Sequence, residues 1–555
     1  MDLVPPSNLP AIPNSTAKRN RVPLSCNPCR IRKLRCDRQQ PCHNCMARGS
    51  GNLCIYANGV TQGRDVNDSA SQYRAKGPIQ GRLCNEDLFY RSSTHWDNVL
   101  AEYQEHWKNP SLTSLSWLGL LYAIFSLAIY FLPAASDHYI GLSGTLATLY
   151  HARSGQCVTR IGANKANLQT LQVMIARCVF GFSNREDWGA GLIPDIGAIV
   201  RIAMRLGLHR DPSHFPNMTP FQGEMRRRIW TILCQIDTLS SFHLGMPAAI
   251  RTGDGDTEAP RNLLDTDIDE AMSELPPSRP FSQHVPLGYM LVKNDILSVM
   301  KRVVESLNSI HEKRYEVVLQ LDRDLAQVYA MIPAYLRLNN WENAHNDPPY
   351  LVLQKVQLDT LYHQIVSVLH RRYLREARSD SKYAVSEQRC VDSSMVLLNH
   401  QATIYKKSQP GGYLNPNFRY AIPPEGMNFT LAVMVLCLYL QYRTKTKRKD
   451  LLSVDTKDQQ LFQALSTSHA IWKHLSNEHH EAGKVANVLD KIMGQLRPRL
   501  SFPDDRLSAL EPGVPFSYGE SSHIGAQSTT RSESSLNLNI DCTESGGIEM
   551  SDFNW

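Results

Sequence analysis

Six of the thirteen cysteines in this 555-residue chain fall between residues 26 and 54, in the spacing C-x2-C-x6-C-x5-C-x2-C-x8-C. They are Cys26, Cys29, Cys36, Cys42, Cys45 and Cys54. The two thiolates of a C-x2-C pair can converge on one tetrahedral ion, with zinc–sulfur distances of about 2.3 Å. The first twenty residues contain no apolar segment of the kind that a secretory signal requires, so we expect a reducing environment. Clustered cysteines in that environment predict a metal centre rather than disulfides.

Six cysteines are too few for two separate four-cysteine sites, but they suffice for two zinc ions if two thiolates each bridge both ions. The quasi-repeat suggests that the bridges are the first cysteine of each half, Cys26 and Cys42. One ion would be held by Cys26, Cys29, Cys36 and Cys42, and the other by Cys26, Cys42, Cys45 and Cys54. About forty residues cannot bury a useful core, so zinc must supply the folding free energy, on the order of 10 kcal/mol per ion. His43 is interpreted as a solvated loop residue, not as a ligand.

The same segment is strongly basic. Between Lys18 and Tyr56 there are nine Lys or Arg residues against Asp37 alone, whereas the whole chain carries a net charge of only +6. The head therefore carries a net charge of +8, and the remainder of the chain sums to −2. This asymmetry predicts a polyanionic partner for the head alone.

The elements beyond the head are predicted to be helices. Asp195–Leu206 and Met225–Leu239 each place apolar residues on one face, and similar runs lie near 288–308, 314–332, 350–376, 427–443 and 459–475. The fold class predicted is mostly α, with a metal-stabilised head and a large all-α domain. The predicted division is a disordered N-terminus at 1–20, the head at 21–56, a linker at 57–85, the helical domain at 86–500 and a disordered acidic tail at 501–555.

One stretch raises the question of a membrane span. Leu115–Leu132 contains 18 residues without a charge, which is the lower limit for a spanning helix. It lacks a flanking Lys or Arg and ends at Pro133. We therefore predict a helix buried in the all-α core, and no membrane.

The run CNPCRIRKLRCDRQQPCHNCMARGSGNLC resembles the fungal zinc binuclear cluster transcription factors, including the basic stretch between the second and third cysteines and Pro41 before the fourth. The segments DIGAIVRIAMRLGLHRDPSHFP and EMRRRIWTILCQIDTLSSFHLGMPAAI resemble the middle homology region of the same regulators, over about residues 115–330. The resemblance implies an all-α regulatory domain and two zinc ions per chain. Arg226, Arg227 and Arg228 are interpreted as a solvated face at a helix start.

The resemblance also implies which residues contact DNA. The candidates are Arg30, Arg32, Lys33, Arg35 and Arg38. In this family, the lysine three residues before the third cysteine reads a CGG triplet, and Lys33 holds that position here. Arg32 is the second candidate for base contact, and Arg30 and Arg38 are expected to contact phosphates.

Two motifs could suggest an enzyme, and neither is complete. His209-Arg210-Asp211 looks like a kinase catalytic loop, but Pro216 stands where the expected asparagine would be, and no Gly-rich phosphate loop accompanies it. The GDGD sequence at 253–256 lacks the spacing of a phosphate-binding loop and the helix that follows one. The chain is therefore not predicted to be an enzyme.

Two functions remain open. The first is a nuclear, sequence-specific DNA-binding regulator of RNA polymerase II genes that recognises CGG-type half-sites. The alternative is a zinc-stabilised nuclear protein-interaction scaffold without sequence-specific readout. Only the first function requires cations such as Lys33 on a segment whose ends are fixed by metal ligands.

Partners other than DNA are predicted from the linker and the tail. Val60, Val66 and Tyr73 do not form a heptad, and Gly77-Pro78 interrupts any helix, so no coiled-coil dimer is evident. The tail from Glu511 to Trp555 contains seven acidic residues interspersed with apolar ones. Such a segment is expected to contact the transcription machinery or coactivators, as an activator would, although the helical domain could also do so.

Overall fold

The structure is a computed structural model of the whole chain. It describes residues 29, 34–37, 39, 42–48, 94–130, 143–184, 192–311, 314–414, 426–446, 456–477 and 480–499. The chain divides into two compact units, Met1–Ile79 and Gln80–Trp555. The predicted N-terminus, linker and acidic tail lie outside the described residues, so the predicted division of the chain stays a prediction. The described residues contain helices and no β-strand, which confirms the mostly α fold class.

In the described part of the first unit, Cys29 has helical backbone, and the short helix α1 (His43–Met46) begins directly after Cys42. The second unit, called the helical unit below, contains a longer series of helices. Three-residue and four-residue 3-10 turns lie between several of them. They are α2 (Trp96–Lys108), α3 (Leu115–Tyr130), α4 (Ser143–Ile161), α5 (Leu168–Asn184), α6 (Ile193–Arg205), α7 (Pro220–Leu244), α8 (Pro286–Leu307), α9 (Tyr315–Ala330), α10 (Pro349–His370), α11 (Tyr373–Glu376), α12 (Ala384–Lys407), α13 (Gly426–Thr446), α14 (Thr456–Leu475) and α15 (His480–Leu496).

The second unit is held together by three main apolar clusters that follow one another along the chain. The first joins α2 to α5, the second joins α5 to α8, and the third and largest extends from the end of α7 to α15. Helices α7 and α8 contribute to the second and third clusters, with Ile229 and Met290 in one and Phe242 and Val292 in the other. These two helices therefore connect the N-terminal and C-terminal halves of the domain.

Helix α3 is the uncharged stretch that raised the question of a membrane span. It packs against α4 and α5, and Trp117, Leu120, Ala123 and Leu127 are buried. Within the described residues, no helix combines the length and the apolar composition that a membrane crossing requires. The apolar composition of α3 is accounted for by its place in the core, as predicted.

Helix α7 begins with a capping box in which Thr219 and Gln222 exchange side-chain and backbone hydrogen bonds. The prediction that its arginines form a solvated face is wrong, because Arg228 is 1% exposed and Arg227 is 14% exposed. The Arg228 guanidinium donates to Glu224 at 3.1 Å and to Asp265 at 2.7 Å. The local sequence pattern suggested that Arg228 is exposed to solvent. Its partner Asp265 lies in a distant turn of the chain, so the pairing is not evident from the neighbouring residues.

The HRD and GDGD motifs turn out to be structural. Asp211 accepts hydrogen bonds from the Arg227 guanidinium at 2.8 and 2.9 Å and from the backbone N–H groups of Ser213 and Glu258. Burial opposes ionisation of Asp211, but these hydrogen bonds, led by that of Arg227, outweigh it and lower the pKa of the carboxyl group. The aspartate that resembled a catalytic base is thus engaged in holding α7 to the preceding turn.

The GDGD loop completes this arrangement. Asp256 accepts the backbone N–H of Asp211 at 2.9 Å and lies 2.9 Å from His214 Nε2. A Cβ at Gly255 would lie 2.6 Å from the carbonyl oxygen of His209, so only glycine lets the two segments approach this closely. The two motifs therefore stabilise each other.

Candidate metal centre and nucleic-acid interface

Three cysteines form the interior of the described part of the head. Cys29, Cys42 and Cys45 are at most 2% exposed, and Leu34 and Cys36 pack against them. The sulfur atoms of these three cysteines all lie within 4.8 Å of one another. Backbone hydrogen bonds fix their positions, because Cys45 N–H donates to Cys42 O and Leu34 N–H donates to Cys29 O.

The spacing of these sulfur atoms fits zinc. The Cys29 and Cys42 sulfurs are 3.6 Å apart. Four sulfurs arranged tetrahedrally at a zinc–sulfur distance of about 2.3 Å would be separated by about 3.8 Å, whereas a disulfide requires about 2.05 Å. Buried thiolates also need a cation to neutralise them. The separation of Cys29 and Cys42 therefore suits two ligands of one tetrahedral zinc ion.

Cys42 occupies the central position among the described cysteines. Besides its group with Cys29 and Cys45, it belongs to a second group in which its sulfur, that of Cys36 and a carboxylate oxygen of Asp37 lie within 4.8 Å of one another. Cys42 therefore lies next to a ligand from each half of the repeat. This is the position that a thiolate shared by two ions would need.

Asp37 and Asn44 hold the two halves of the head together, and they were not among the predicted site residues. The Asp37 carboxylate accepts the backbone N–H of His43 at 2.9 Å and that of Gln39 at 3.2 Å. The hydrogen bond from His43 is the main cause of a lowered pKa for Asp37. Asn44 Nδ2 donates to the carbonyl oxygen of Arg35 at 2.7 Å. The sequence did contain a signal for Asp37, since a carboxylate precedes the second C-x2-C pair. The N-terminal end of a helix favours a nearby anion.

The predicted site residues are only partly within the described residues. Cys29, Cys36, Cys42 and Cys45 are brought together, and the side chain of Arg35 is exposed beside them. Cys26, Cys54, Arg30, Arg32, Lys33 and Arg38 lie outside the described residues. His43 is exposed and does not belong to either group of candidate ligands, although it begins α1 rather than lying in a loop.

The single cysteines of the helical unit differ from those of the head. Cys157, Cys178, Cys390 and Cys437 are buried, and Cys234 is half-buried. Burial raises the pKa of Cys234, Cys390 and Cys437 to about 12 in each case. These thiols are therefore protonated at neutral pH.

Comparison with known families gives two matches. Residues 24–61 match the fungal Zn(2)-Cys(6) binuclear cluster domain, and residues 85–345 match the fungal specific transcription factor domain. The two matches cover the cysteine-rich head and the N-terminal part of the helical unit. They agree with both resemblances that were drawn from the motifs.

Curated relatives show the same relationship over most of this chain. The Zn(2)-C6 fungal-type transcription factor pigI of Monascus ruber is 33% identical over 74% of this chain and 51% of its own length. The Zn(2)-C6 fungal-type transcription factor mpsB of Macrophomina phaseolina is 31% identical over 73% of this chain and 55% of its own length. The pyrrolocin cluster transcription factor fsdR of Fungal sp. is 30% identical over 76% of this chain and 57% of its own length. The chain thus spans about half the length of the curated relatives that it matches.

On these matches and the geometry of its cysteines, the chain belongs to the fungal Zn(2)-Cys(6) binuclear cluster transcription factors, whose members are not enzymes and whose cluster domain binds two zinc ions.

Proposed function

We propose that this protein is a nuclear, sequence-specific DNA-binding regulator of RNA polymerase II genes that recognises CGG-type triplets. The observation that carries the proposal is a basic segment with a buried metal-ligand cysteine at one end and a half-buried one at the other, Cys29 and Cys36. Metal ligands at both ends would give a cation between them a defined direction, which base readout requires and a solvated basic tail does not offer. The alternative, a protein-interaction scaffold, has no need of such anchoring.

Within the zinc cluster, we assign Cys26 and Cys42 as the bridging ligands. Cys29 and Cys36 complete the first site, and Cys45 and Cys54 complete the second. The proximity of Cys42 to ligands of both halves supports this assignment. Zinc would fix the ends of the basic segment and supply the folding free energy of the head.

We assign base recognition to Lys33, with Arg32 beside it as the second candidate. Lysine and arginine reach the O6 and N7 acceptors of guanine in the major groove. Arg30 and Arg38 would contact phosphates and add affinity that depends on salt but not on sequence. Arg35, whose side chain is exposed and whose carbonyl oxygen accepts a hydrogen bond from Asn44, would add a further contact with DNA.

Competition binding with the full chain tests the readout. Lys33→Ala should lower the preference for a CGG duplex over a scrambled duplex by about 5- to 150-fold, which corresponds to about 1–3 kcal/mol. Arg48→Ala removes an exposed cation from the second half of the head and serves as the matched control. It should leave the preference unchanged. A Lys33→Ala protein with the preference of the parent would refute the assignment of the reading residue.

We also propose that the tail activates transcription. Acidic repulsion would keep residues 511–555 extended, so that Phe553 and Trp555 stay available to a coactivator groove. Residues 511–555 fused to an unrelated DNA-binding domain should activate a reporter gene. Phe553→Ala combined with Trp555→Ala should lower that signal, since charge alone does not suffice. A silent fusion would place activation in the helical unit or indicate repression.

The names of several relatives suggest which genes are regulated. Three of them are named as transcription factors of the pyrrolocin, equisetin and fusarisetin A clusters. We propose that the present chain likewise controls a cluster of genes. Deleting its gene should lower the transcripts of one set of adjacent genes together. Scattered changes without such a set would contradict this proposal.

A further inference from the structure

The helical unit contains a cavity of about 610 Å³ between α4, α5 and α6. Buried side chains line its inner part, including Cys178, Leu192 and Ile199, and exposed residues such as Gln156 and Thr159 lie at its edge. The cavity is therefore a cleft that opens to solvent. Its size falls within the range of small-molecule sites, which is about 300–1,000 Å³.

Arg177 of α5 supplies a cation to this cleft. Its Nη1 donates to the carbonyl oxygen of His151 and to Ser154 Oγ, the latter at 2.9 Å. Among the described residues, no carboxylate lies within ion-pair distance of this guanidinium, and its Nε and Nη2 groups have no protein acceptor. Burial lowers the pKa of Arg177, as expected for a cation that lacks a close anion. The guanidinium nevertheless remains charged at neutral pH, so two or more of its donors are available to a ligand.

The neighbouring helix is shaped to accommodate this guanidinium. A Cβ at Gly155 of α4 would lie 2.8 Å from Arg177 Nη1 and 2.9 Å from its Cζ and Nη2. Only glycine therefore allows the guanidinium to lie against the backbone of α4 at this point. The two hydrogen bonds to α4 then hold it in a fixed orientation beside the cleft.

The other lining groups define which ligand would fit. Val158, Met174, Leu192 and Ile199 provide apolar surface. The ionisable side chains that line the cleft with Arg177 are Arg160, Asp195, His151 and Cys178, so the arginines outnumber the carboxylates by one when the histidine and the thiol are neutral. We propose that this cleft binds a small organic anion with an apolar body, with its carboxylate on the free donors of Arg177. The proposal goes beyond DNA recognition and does not depend on it.

Asp195 is the internal competitor of such a ligand. It lies in the first turn of α6, lines the same cleft, and is near enough to act electrostatically on Arg177 without forming an ion pair. An incoming carboxylate would be repelled by Asp195 while it is attracted by Arg177. Neutralising Asp195 should therefore strengthen the binding of an anion and leave a neutral analogue unaffected.

Calorimetric titration of the full chain tests the proposal with naphthalene-1-acetate as the probe and naphthalene-1-acetamide as its uncharged match. The acetate should bind saturably and with one site, and the amide should bind about tenfold more weakly or worse, because charge-assisted hydrogen bonds are lost. No saturable binding of the acetate up to about 5 mM, or equal binding of both compounds, would overturn the proposal.

Two variants and a control locate the binding. Arg177→Met should weaken acetate binding about tenfold or more. Asp195→Asn, at an exposed position, should tighten acetate binding and not that of the amide. Arg201→Met removes an exposed arginine of α6 that does not line the cleft, and it should bind as the parent does. If circular dichroism shows that Arg177→Met does not fold, Asp195→Asn decides the outcome. Unaltered acetate binding in either folded variant would overturn the proposal.

Discussion

Removing Cys42 should empty both zinc sites, whereas removing Cys45 should empty one. The Cys42 sulfur is 3.6 Å from that of Cys29, close to the edge of about 3.8 Å in a zinc–sulfur tetrahedron, and it also lies within 4.8 Å of the Cys36 and Cys45 sulfurs. We propose that a thiolate in that position is shared by both sites. Cys42→Ala should therefore lower the zinc content from about two ions per chain to nearly none, and Cys45→Ala should lower it to about one.

Elemental analysis of the purified full chain provides the measurement. Each structural zinc contributes on the order of 10 kcal/mol to folding, so Cys42→Ala should also abolish DNA binding. Cys390→Ala is the matched control, since it removes a buried thiol of the helical unit and should keep both ions. Equal loss of one zinc in Cys42→Ala and Cys45→Ala would refute the bridging assignment. A single zinc in the parent chain would refute the binuclear cluster.

The remaining predictions concern stability, measured as the free energy of unfolding in urea. Asp211→Asn deprives the mostly buried Arg227 of its main carboxylate and should cost about 3 kcal/mol. Burial lowers the pKa of His363 to about 4 from an unfolded value of about 6.5. Because the folded chain disfavours the protonated form of His363, the free energy of unfolding should be highest above pH 6.5. It should fall by at most about 3 kcal/mol as the pH decreases to 4. His363→Gln should remove this pH dependence. Gly255→Ala should cost about 1–3 kcal/mol, because its Cβ would lie 2.6 Å from a backbone carbonyl oxygen, whereas Gly197→Ala in α6, with open space around it, should stabilise. Loss of stability in Gly197→Ala, or none in the other variants, would contradict this reasoning.

Helices with one buried face were predictable from the sequence. The apolar spacing of 195–206 corresponds to α6 (Ile193–Arg205), and that of 314–332 corresponds to α9 (Tyr315–Ala330). Hydrophobic periodicity works for these helices because one face contacts the core and the other contacts water. The cysteine spacing was informative for a related reason, since a tetrahedral ion accepts few arrangements of ligands.

Helix α12 (Ala384–Lys407) was not distinguished by its sequence pattern, although it contacts α10, α13 and α14. It is buried on most sides and carries polar residues into the core. Gln401 of α12 accepts a hydrogen bond from Ser468 of α14. Buried polar residues with distant partners disguise the apolar pattern, because the partners become visible only in the folded chain.

The same limitation explains the arginines of α7 and the framework of the head. Arg228 looks solvated beside two other arginines, yet its second carboxylate partner, Asp265, lies 37 positions further along the chain. In the head, the ligand types were predictable, but the contacts of Asp37 and Asn44 depend on how the two halves face each other. The local sequence indicates which residue types are present. Contacts between distant segments are evident only in the folded structure.

The most direct test of the central proposal is the sequence preference of the full chain for DNA with and without zinc. Fluorescence anisotropy should show tighter binding to a CGG-containing duplex than to a scrambled duplex, by about a thousandfold or more at physiological salt. Removal of zinc with a chelator should abolish the preference, and restoring zinc should return it. Equal affinity for both duplexes in the zinc-loaded protein would contradict sequence-specific recognition and favour the scaffold alternative.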